Sequence, residues 1–115
     1  MEKYILLYRM ETRSKQGAFQ ALPLTENILS IFNDLPDSTY LPIQNIKYAT
    51  LSKEDLTIWF PYDSINHLME HDIYLTTYQV PISNIYRIDD NQVLYTDDNN
   101  LIPISIECPS SLYSY

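Results

Sequence analysis

The chain between residues 72 and 107 alternates short apolar runs with polar turns, and this pattern constrains the fold more than any other feature. β-Branched and aromatic residues concentrate in four runs, at residues 73–80, 85–88, 92–95 and 101–106. Runs of this length, separated by Asp and Asn, are typical of short strands joined by turns. The pattern predicts an antiparallel meander. In its last strand we expect Ile102, Ile104 and Ile106 to face inward and Pro103 to mark a sheet edge.

The rest of the chain supplies further strands and two helices. Residues 3–10 are apolar on both faces, which predicts a central strand, and residues 43–51 form a second candidate. A helix is expected over residues 26–35, with Thr25 as its N-cap. Residues 52–55 resemble the start of a capping box, so helix and strand compete over residues 56–60. A strand is favoured there because these residues are aromatic and β-branched. Asp63 is expected to cap a second helix over residues 64–71, with Ile65, Leu68 and Met69 on its buried side.

These elements together predict an α+β fold. We expect one domain over residues 1–115, with a mostly antiparallel sheet of about five to seven short strands. One or two short helices are expected to pack on one face of that sheet. The chain of 115 residues is long enough to bury a single hydrophobic core.

Charge is distributed unevenly along the chain. The formal net charge is −8, and residues 1–53 carry six basic and five acidic side chains, whereas residues 54–115 carry one and ten. An acidic half of this kind repels phosphate backbones and anionic lipid, so we expect no direct binding to nucleic acid or membranes. Basic protein surfaces are the partners that it attracts.

Several classes of protein are disfavoured by what the sequence lacks. A single glycine, Gly17, excludes a glycine-rich phosphate loop. The only cysteine, Cys108, excludes an intrachain disulfide and favours a reducing, cytoplasmic compartment. We expect no signal peptide and no membrane span. No nucleophile with a neighbouring base is legible, and the acidic pairs at residues 89–90 and 97–98 read as turns, so we expect neither an enzyme nor a cofactor.

Tyrosine and aspartate are both frequent in the last third of the chain, where strands and turns alternate. Tyrosine supplies rigid contact area at protein interfaces, and carboxylates steer a basic partner. The sequence therefore predicts a small acidic interaction or inhibitor domain that binds a basic protein surface. Such a domain would compete with nucleic acid for that basic surface. Small acidic inhibitors from phages and mobile elements provide a functional analogy. The predicted partner-binding residues are Asp72, Tyr74, Tyr86, Asp89, Asp90, Tyr95, Asp97 and Asp98.

Two alternatives remain open. His67-Leu68-Met69-Glu70-His71 resembles the H-x-x-E-H motif of inverzincin metalloproteases. That resemblance implies a zinc ion held by His67 and His71, with Glu70 as general base, and hence a small metal-binding or hydrolytic domain. The other alternative is an oligomerising structural subunit, because an exposed edge strand can pair with another chain.

Overall fold

The fold was described from a computed structural model, which places residues 3–22, 46–89, 92–97 and 101–113. The helix expected over residues 26–35 lies outside these ranges. Within them the chain forms six strands and two helices of more than one turn. The mixed class and the number of strands are therefore confirmed.

The first sheet contains strands β1 (Tyr4–Thr12), β3 (Ile73–Pro81) and β6 (Pro103–Glu107) in the order β1-β3-β6. Both pairings are antiparallel, and the β1–β3 register runs from Tyr4 opposite Pro81 to Thr12 opposite Ile73. The prediction that β1 is central is wrong, because β3 has that position. Tyr4 and Leu6 of β1 are exposed, so apolar residues on both faces did not mean burial on both faces.

The second sheet contains β2 (Ile46–Ala49), β5 (Gln92–Thr96) and β4 (Ile85–Asp89) in the order β2-β5-β4. The predicted single meander is therefore wrong, since β3 and β4 belong to different sheets. A 3₁₀ turn at Ile82–Asn84 separates them. Backbone bonds of 2.9 Å in both directions between Tyr8 and Thr50 connect β1 to the chain just after β2.

Helix α1 (Ala18–Ala21) is a single turn, and α2 (Lys53–Trp59) and α3 (Ile65–Glu70) are longer. The strand expected over residues 56–60 is wrong. Ser52 caps α2 by accepting a bond from the Asp55 N–H at 3.2 Å, and two carboxylates follow in the first turn. Capping and the helix dipole outweigh the strand preference of the aromatic and β-branched residues here.

The second expected helix is confirmed as α3, although its start differs from the prediction. A 3₁₀ turn at Tyr62–Ser64 precedes it, and Asp63 makes no capping bond. Ile65 and Leu68 are buried as expected. Met69 is exposed, so its expected burial is wrong.

Two clusters of buried side chains form the hydrophobic core, and alternate residues of β1 belong to different clusters. Met10 joins Ile73 and Leu75 of β3 with buried residues of the helical region, namely Leu56, Phe60, Ile65, Leu68 and Leu112. Leu7 joins Tyr78 and Val80 of β3 with residues of the second sheet, namely Ala49, Val93 and Tyr95. Alternation along a strand places neighbouring side chains on opposite faces, so β1 and β3 serve both clusters. Packing of one or two short helices on one face of the sheet stays a prediction.

Strand β6 ends the first sheet, which confirms the edge position expected from Pro103. The expected inward direction of its isoleucines is wrong. Ile102, Ile104 and Ile106 retain 80%, 56% and 45% of their surface exposed. The register shifts where Thr77 and Tyr78 of β3 pair with β6, and a bulge of this kind changes which side chains a strand turns inward.

Candidate functional site

The predicted partner-binding residues divide into exposed and buried ones. Asp72 and Tyr86 are exposed, as expected for a contact surface. Tyr74 is half-buried, and the guanidinium of Arg13 lies 5.3 Å from the centre of its ring. Asp89 ends β4, and Asp90 and Asp98 lie outside the described residues. Their role in binding a partner stays a prediction.

Tyr95 and Asp97 contradict the expectation that they face solvent. Tyr95 is 0% exposed and Asp97 is 1% exposed, so neither offers surface to a partner. The reason is the position of β5, which lies between β2 and β4. Tyr95 therefore packs in the second core cluster, and Asp97 directly follows the strand.

Arg9 and Glu11 of β1 form a buried ion pair. Nε of Arg9 donates to Oε1 of Glu11 at 2.6 Å, and Nη1 of Arg9 donates to the carbonyl oxygen of Tyr48 at 2.7 Å. The hydroxyl of Tyr78 on β3 donates to Oε2 of Glu11. Burial raises the pKa of Tyr78, and the bond to the Glu11 carboxylate raises it further. Glu11 thus accepts from two buried donors, which joins β1 to β3.

A second charge group surrounds Asp97. Lys47 of β2 donates to Oδ2 of Asp97 at 3.1 Å, and Nζ of Lys15 lies 3.6 Å from the same oxygen. Lys15 also donates to the carbonyl oxygen of Leu101 at 2.6 Å, and it lies 5.7 Å from the ring centre of Tyr78. The backbone of Lys15 has a φ of 70°, a value that residues other than glycine rarely adopt. Two lysines from different parts of the chain therefore compensate one buried carboxylate.

The hydroxyl of Tyr95 lies in this charged interior and has no hydrogen-bond partner among the described residues. Burial raises the pKa of Tyr95; nearby Arg9 lowers it, while Glu11 and Asp97 raise it. A buried hydroxyl without a partner costs free energy, so this position is a weak point of an otherwise satisfied network.

A small cleft of about 50 Å³ opens beside the network, between β1, β3 and β6. Glu11, Lys15, Tyr78 and Pro103 are among the residues that line it. The volume suits ordered water better than an organic substrate. Glu11 and Lys15 are engaged with neighbouring groups, so their bonds hold the strands around the cleft together.

Gly17 is needed for space next to Arg9. A Cβ atom built at Gly17 would lie 3.0 Å from Nη2 of Arg9, whose other nitrogens are held by Glu11 and Tyr48. The φ of Gly17 is −62°, so the backbone allows an alanine, but its Cβ would crowd the Arg9 guanidinium.

We expect Gly17→Ala to lower the free energy of unfolding by about 1 kcal/mol, as overpacking does. Urea denaturation measures the change. In an Arg9→Met background the crowding disappears, and the substitution is expected to be close to neutral. If Gly17→Ala stabilised the wild-type chain, as reduced freedom of the unfolded chain alone would predict, the packing argument would be wrong.

The exposed carboxylates of the described residues concentrate in residues 51–72, which we call the acidic helical segment. It includes α2, the 3₁₀ turn, α3 and the turn before β3. Lys53 is its only lysine or arginine, and Lys53 lies 3.4 Å from Glu107. The segment also carries four exposed apolar side chains. Its exposed or half-buried carboxylates are Glu54, Asp55, Asp63, Glu70 and Asp72, and its exposed apolar side chains are Leu51, Ile58, Tyr62 and Met69.

Except for Asp72, this surface was missed in the sequence analysis, although its signal is visible in the sequence. Five carboxylates fall within 19 residues, from Glu54 to Asp72, with no basic residue other than histidine among them. The tyrosines of the last third form a more conspicuous pattern than this run. The strand assigned to residues 56–60 also hid the run, because it divided the segment into unrelated pieces.

The zinc ligands implied by the H-x-x-E-H resemblance are not preassembled. Within residues 3–22, 46–89, 92–97 and 101–113, no three His, Cys, Asp or Glu side chains lie close enough together to hold a metal ion. His71 follows the end of α3 with φ −106° and ψ 20°, so it leaves the helical spacing that would align it with His67.

In the described part of the chain, no helix is long and apolar enough to cross a membrane.

Comparisons with known proteins add no relative from which a role could be transferred. No family model, no curated protein and no solved structure matches the chain.

Proposed function

We propose that this protein is a small protein-binding domain whose acidic helical segment docks on a basic surface of a partner. The observation that carries the proposal is the exposure of carboxylates along residues 51–72, with their single lysine already placed beside Glu107. Charge of one sign on a surface raises the association rate with an oppositely charged partner and selects against acidic ones.

Tyr62 is the best candidate for an anchor within that surface. It is 72% exposed, and its ring lies edge-on to Tyr113 with the centroids 5.4 Å apart. The hydroxyl of Tyr113 donates to the carbonyl oxygen of Phe60 at 2.6 Å, which fixes the ring that supports Tyr62. A tyrosine held in this way loses little freedom on binding, which favours affinity. Interfaces commonly concentrate binding energy in such aromatic residues.

A basic surface that normally holds nucleic acid is the partner that suits this arrangement best. Carboxylates spaced along two short helices would occupy the positions of phosphates, and the domain would act as a competitive inhibitor. Asp72 belongs to this surface. Tyr74, Tyr86, Asp89, Asp90 and Asp98 remain further contact residues proposed from the sequence.

The proposal is tested by capturing partners from a lysate of the producing cell on the immobilised protein, at about 50 and about 500 mM salt. We expect basic proteins to be retained at low salt and released at high salt. The variant Asp63→Asn with Glu70→Gln removes two exposed charges, and we expect it to weaken binding of the captured protein by at least about fivefold.

The matched control carries Gln16→Lys and Gln79→Lys. These residues are also exposed, so the control changes the net charge equally at sites outside the segment. We expect it to bind nearly as well as the wild type. Retention of no basic protein at low salt contradicts the proposal. Equal loss in both variants shows that only net charge matters, and it also contradicts the assigned surface.

A further inference from the structure

Strand β6 (Pro103–Glu107) and the residue before it, Ile102, present a row of isoleucines at the end of a sheet. In the first sheet, whose order is β1-β3-β6, β6 has β3 on one side and no described strand on the other. The side chains of Ile102, Ile104 and Ile106 are all exposed, and no charged residue lies between them. An exposed edge with such a row is a template for another strand.

The other described sheet edges have a backbone bond to another segment or a charged residue inside the strand, whereas β6 has Pro103 at its start and a register shift opposite Thr77 and Tyr78. The edge of β1 is bonded to Thr50 through Tyr8, at 2.9 Å in both directions. Strand β4 has an exposed arginine, Arg87, between Tyr86 and Ile88, and β2 contains Lys47. Charges on an edge strand oppose pairing with a second strand. Strand β1 also has an exposed apolar row at an edge, with Tyr4 and Leu6, but that edge is bonded to Thr50. Among the described residues, strand β6 has neither such a bond nor a charge between its isoleucines.

We propose that β6 pairs antiparallel with β6 of a second copy of this chain, which joins the two first sheets into one of six strands. A two-fold axis at Ile104 sets Ile102 of one copy opposite Ile106 of the other. A row with isoleucine at every second position maps onto itself under this operation. The same patch therefore contacts itself, as a closed dimer with two-fold symmetry requires.

The charges at the two ends of β6 favour the antiparallel direction. Lys15 donates to the carbonyl oxygen of Leu101 at the beginning of the strand, and Glu107 ends it. Antiparallel pairing places Glu107 of one copy beside Leu101, and hence near Lys15, of the other. Parallel pairing would instead place Glu107 beside Glu107. Opposite charges opposed across a strand pair stabilise it, and like charges destabilise it.

The dimer is expected to be weak. A pair of five-residue strands buries less than the roughly 1,600 Å² of a standard stable interface, so we expect a dissociation constant in the micromolar range. The net charge of −8 on each copy opposes association, and salt screens that repulsion. Salt should therefore strengthen the dimer, whereas it should weaken binding of a basic partner. The two proposals are independent, and their salt dependences have opposite signs.

Sedimentation velocity of the full chain at about 5–500 µM tests the proposal by giving the fraction of dimer. Ile104→Lys puts two lysines opposite each other at the axis, and we expect it to raise the dissociation constant at least about tenfold. Ile88→Lys is the matched control, because Ile88 is an exposed isoleucine (53%) on the edge strand of the other sheet. We expect the control to dimerise like the wild type.

Amide hydrogen exchange provides a second measurement that needs no substitution. We expect protection of residues 104–107 to increase with protein concentration, while protection of β4 stays constant. A wild-type chain that remains monomeric up to about 500 µM overturns the proposal, and so does a dimer that Ile88→Lys disrupts and Ile104→Lys does not. Open-ended association in place of a dimer overturns the two-fold arrangement.

Discussion

Replacing Glu11 by glutamine is expected to lower the free energy of unfolding by about 3–5 kcal/mol, because it leaves the buried Arg9 guanidinium without a compensating charge. Glu11 is 2% exposed and Arg9 is 8% exposed, so solvent cannot replace the lost carboxylate. The hydroxyl of Tyr78 also loses a charged acceptor. Urea denaturation followed by tryptophan fluorescence and circular dichroism measures the change, since the chain contains one tryptophan, Trp59.

A double-mutant cycle separates the charge effect from simple loss of packing. Arg9→Met combined with Glu11→Gln removes both charges, and we expect it to recover a large part of the stability lost in Glu11→Gln alone. Glu54→Gln changes a carboxylate on the exposed surface and is expected to alter stability by less than about 0.5 kcal/mol. A loss below about 1 kcal/mol for Glu11→Gln would mean that the Arg9 guanidinium reaches water after all.

Alkaline pH is expected to destabilise the fold through two buried tyrosines. The pKa values of Tyr78 and Tyr95 are raised in the folded state, so the unfolded chain releases their protons first. The contribution of the two protonated tyrosines to the free energy of unfolding is fully present below about pH 10, the pKa of tyrosine in the unfolded chain. This contribution is lost as the pH rises above that value. The slope is about 1.4 kcal/mol per pH unit for each tyrosine. Urea denaturation between pH 9 and pH 11.5 measures it.

Tyr95→Phe tests the contribution of one tyrosine. We expect this variant to reduce the slope by about 1.4 kcal/mol per pH unit, because one of the two protons no longer contributes. At neutral pH we expect no loss of stability, since the removed hydroxyl has no partner among the described residues. Tyr86→Phe, on an exposed side chain, is the control. Lysines also lose protons in this range, so the difference between variants is the decisive quantity. An unchanged slope in Tyr95→Phe would contradict the assignment.

Most strands could be predicted from the sequence because their signals are local. Strands β3, β4, β5 and β6 lie within about two residues of the predicted ranges, and the break before β4 coincides with the expected one. Pairing could not be predicted in the same way. Strand β1 pairs with β3, whereas β5 pairs with β2 and β4 in the other sheet. No local pattern distinguishes this arrangement from a meander.

The acidic character of the candidate binding surface could be predicted from the sequence, but which residues form that surface could not. The sequence predicts Asp97 as a turn residue, yet it is buried and pairs with Lys15 and Lys47, which come from other parts of the chain. Tyr95 read as a surface residue because the central position of β5 is a tertiary property. Asp72 needed no long-range contact to be exposed, and its expected exposure agrees with the structure. Contacts between distant residues are therefore where the sequence reading failed.

The pairing of β1 has a consequence for how the protein is made. In the β1–β3 register Thr12 lies opposite Ile73 and Tyr4 lies opposite Pro81, so β1 has no β3 partner until those later residues have left the ribosome. At roughly 5–20 residues per second, the apolar run at residues 4–8 of the nascent chain lacks its β3 partner for several seconds. A chaperone that binds apolar segments near the ribosomal exit would protect this run during translation.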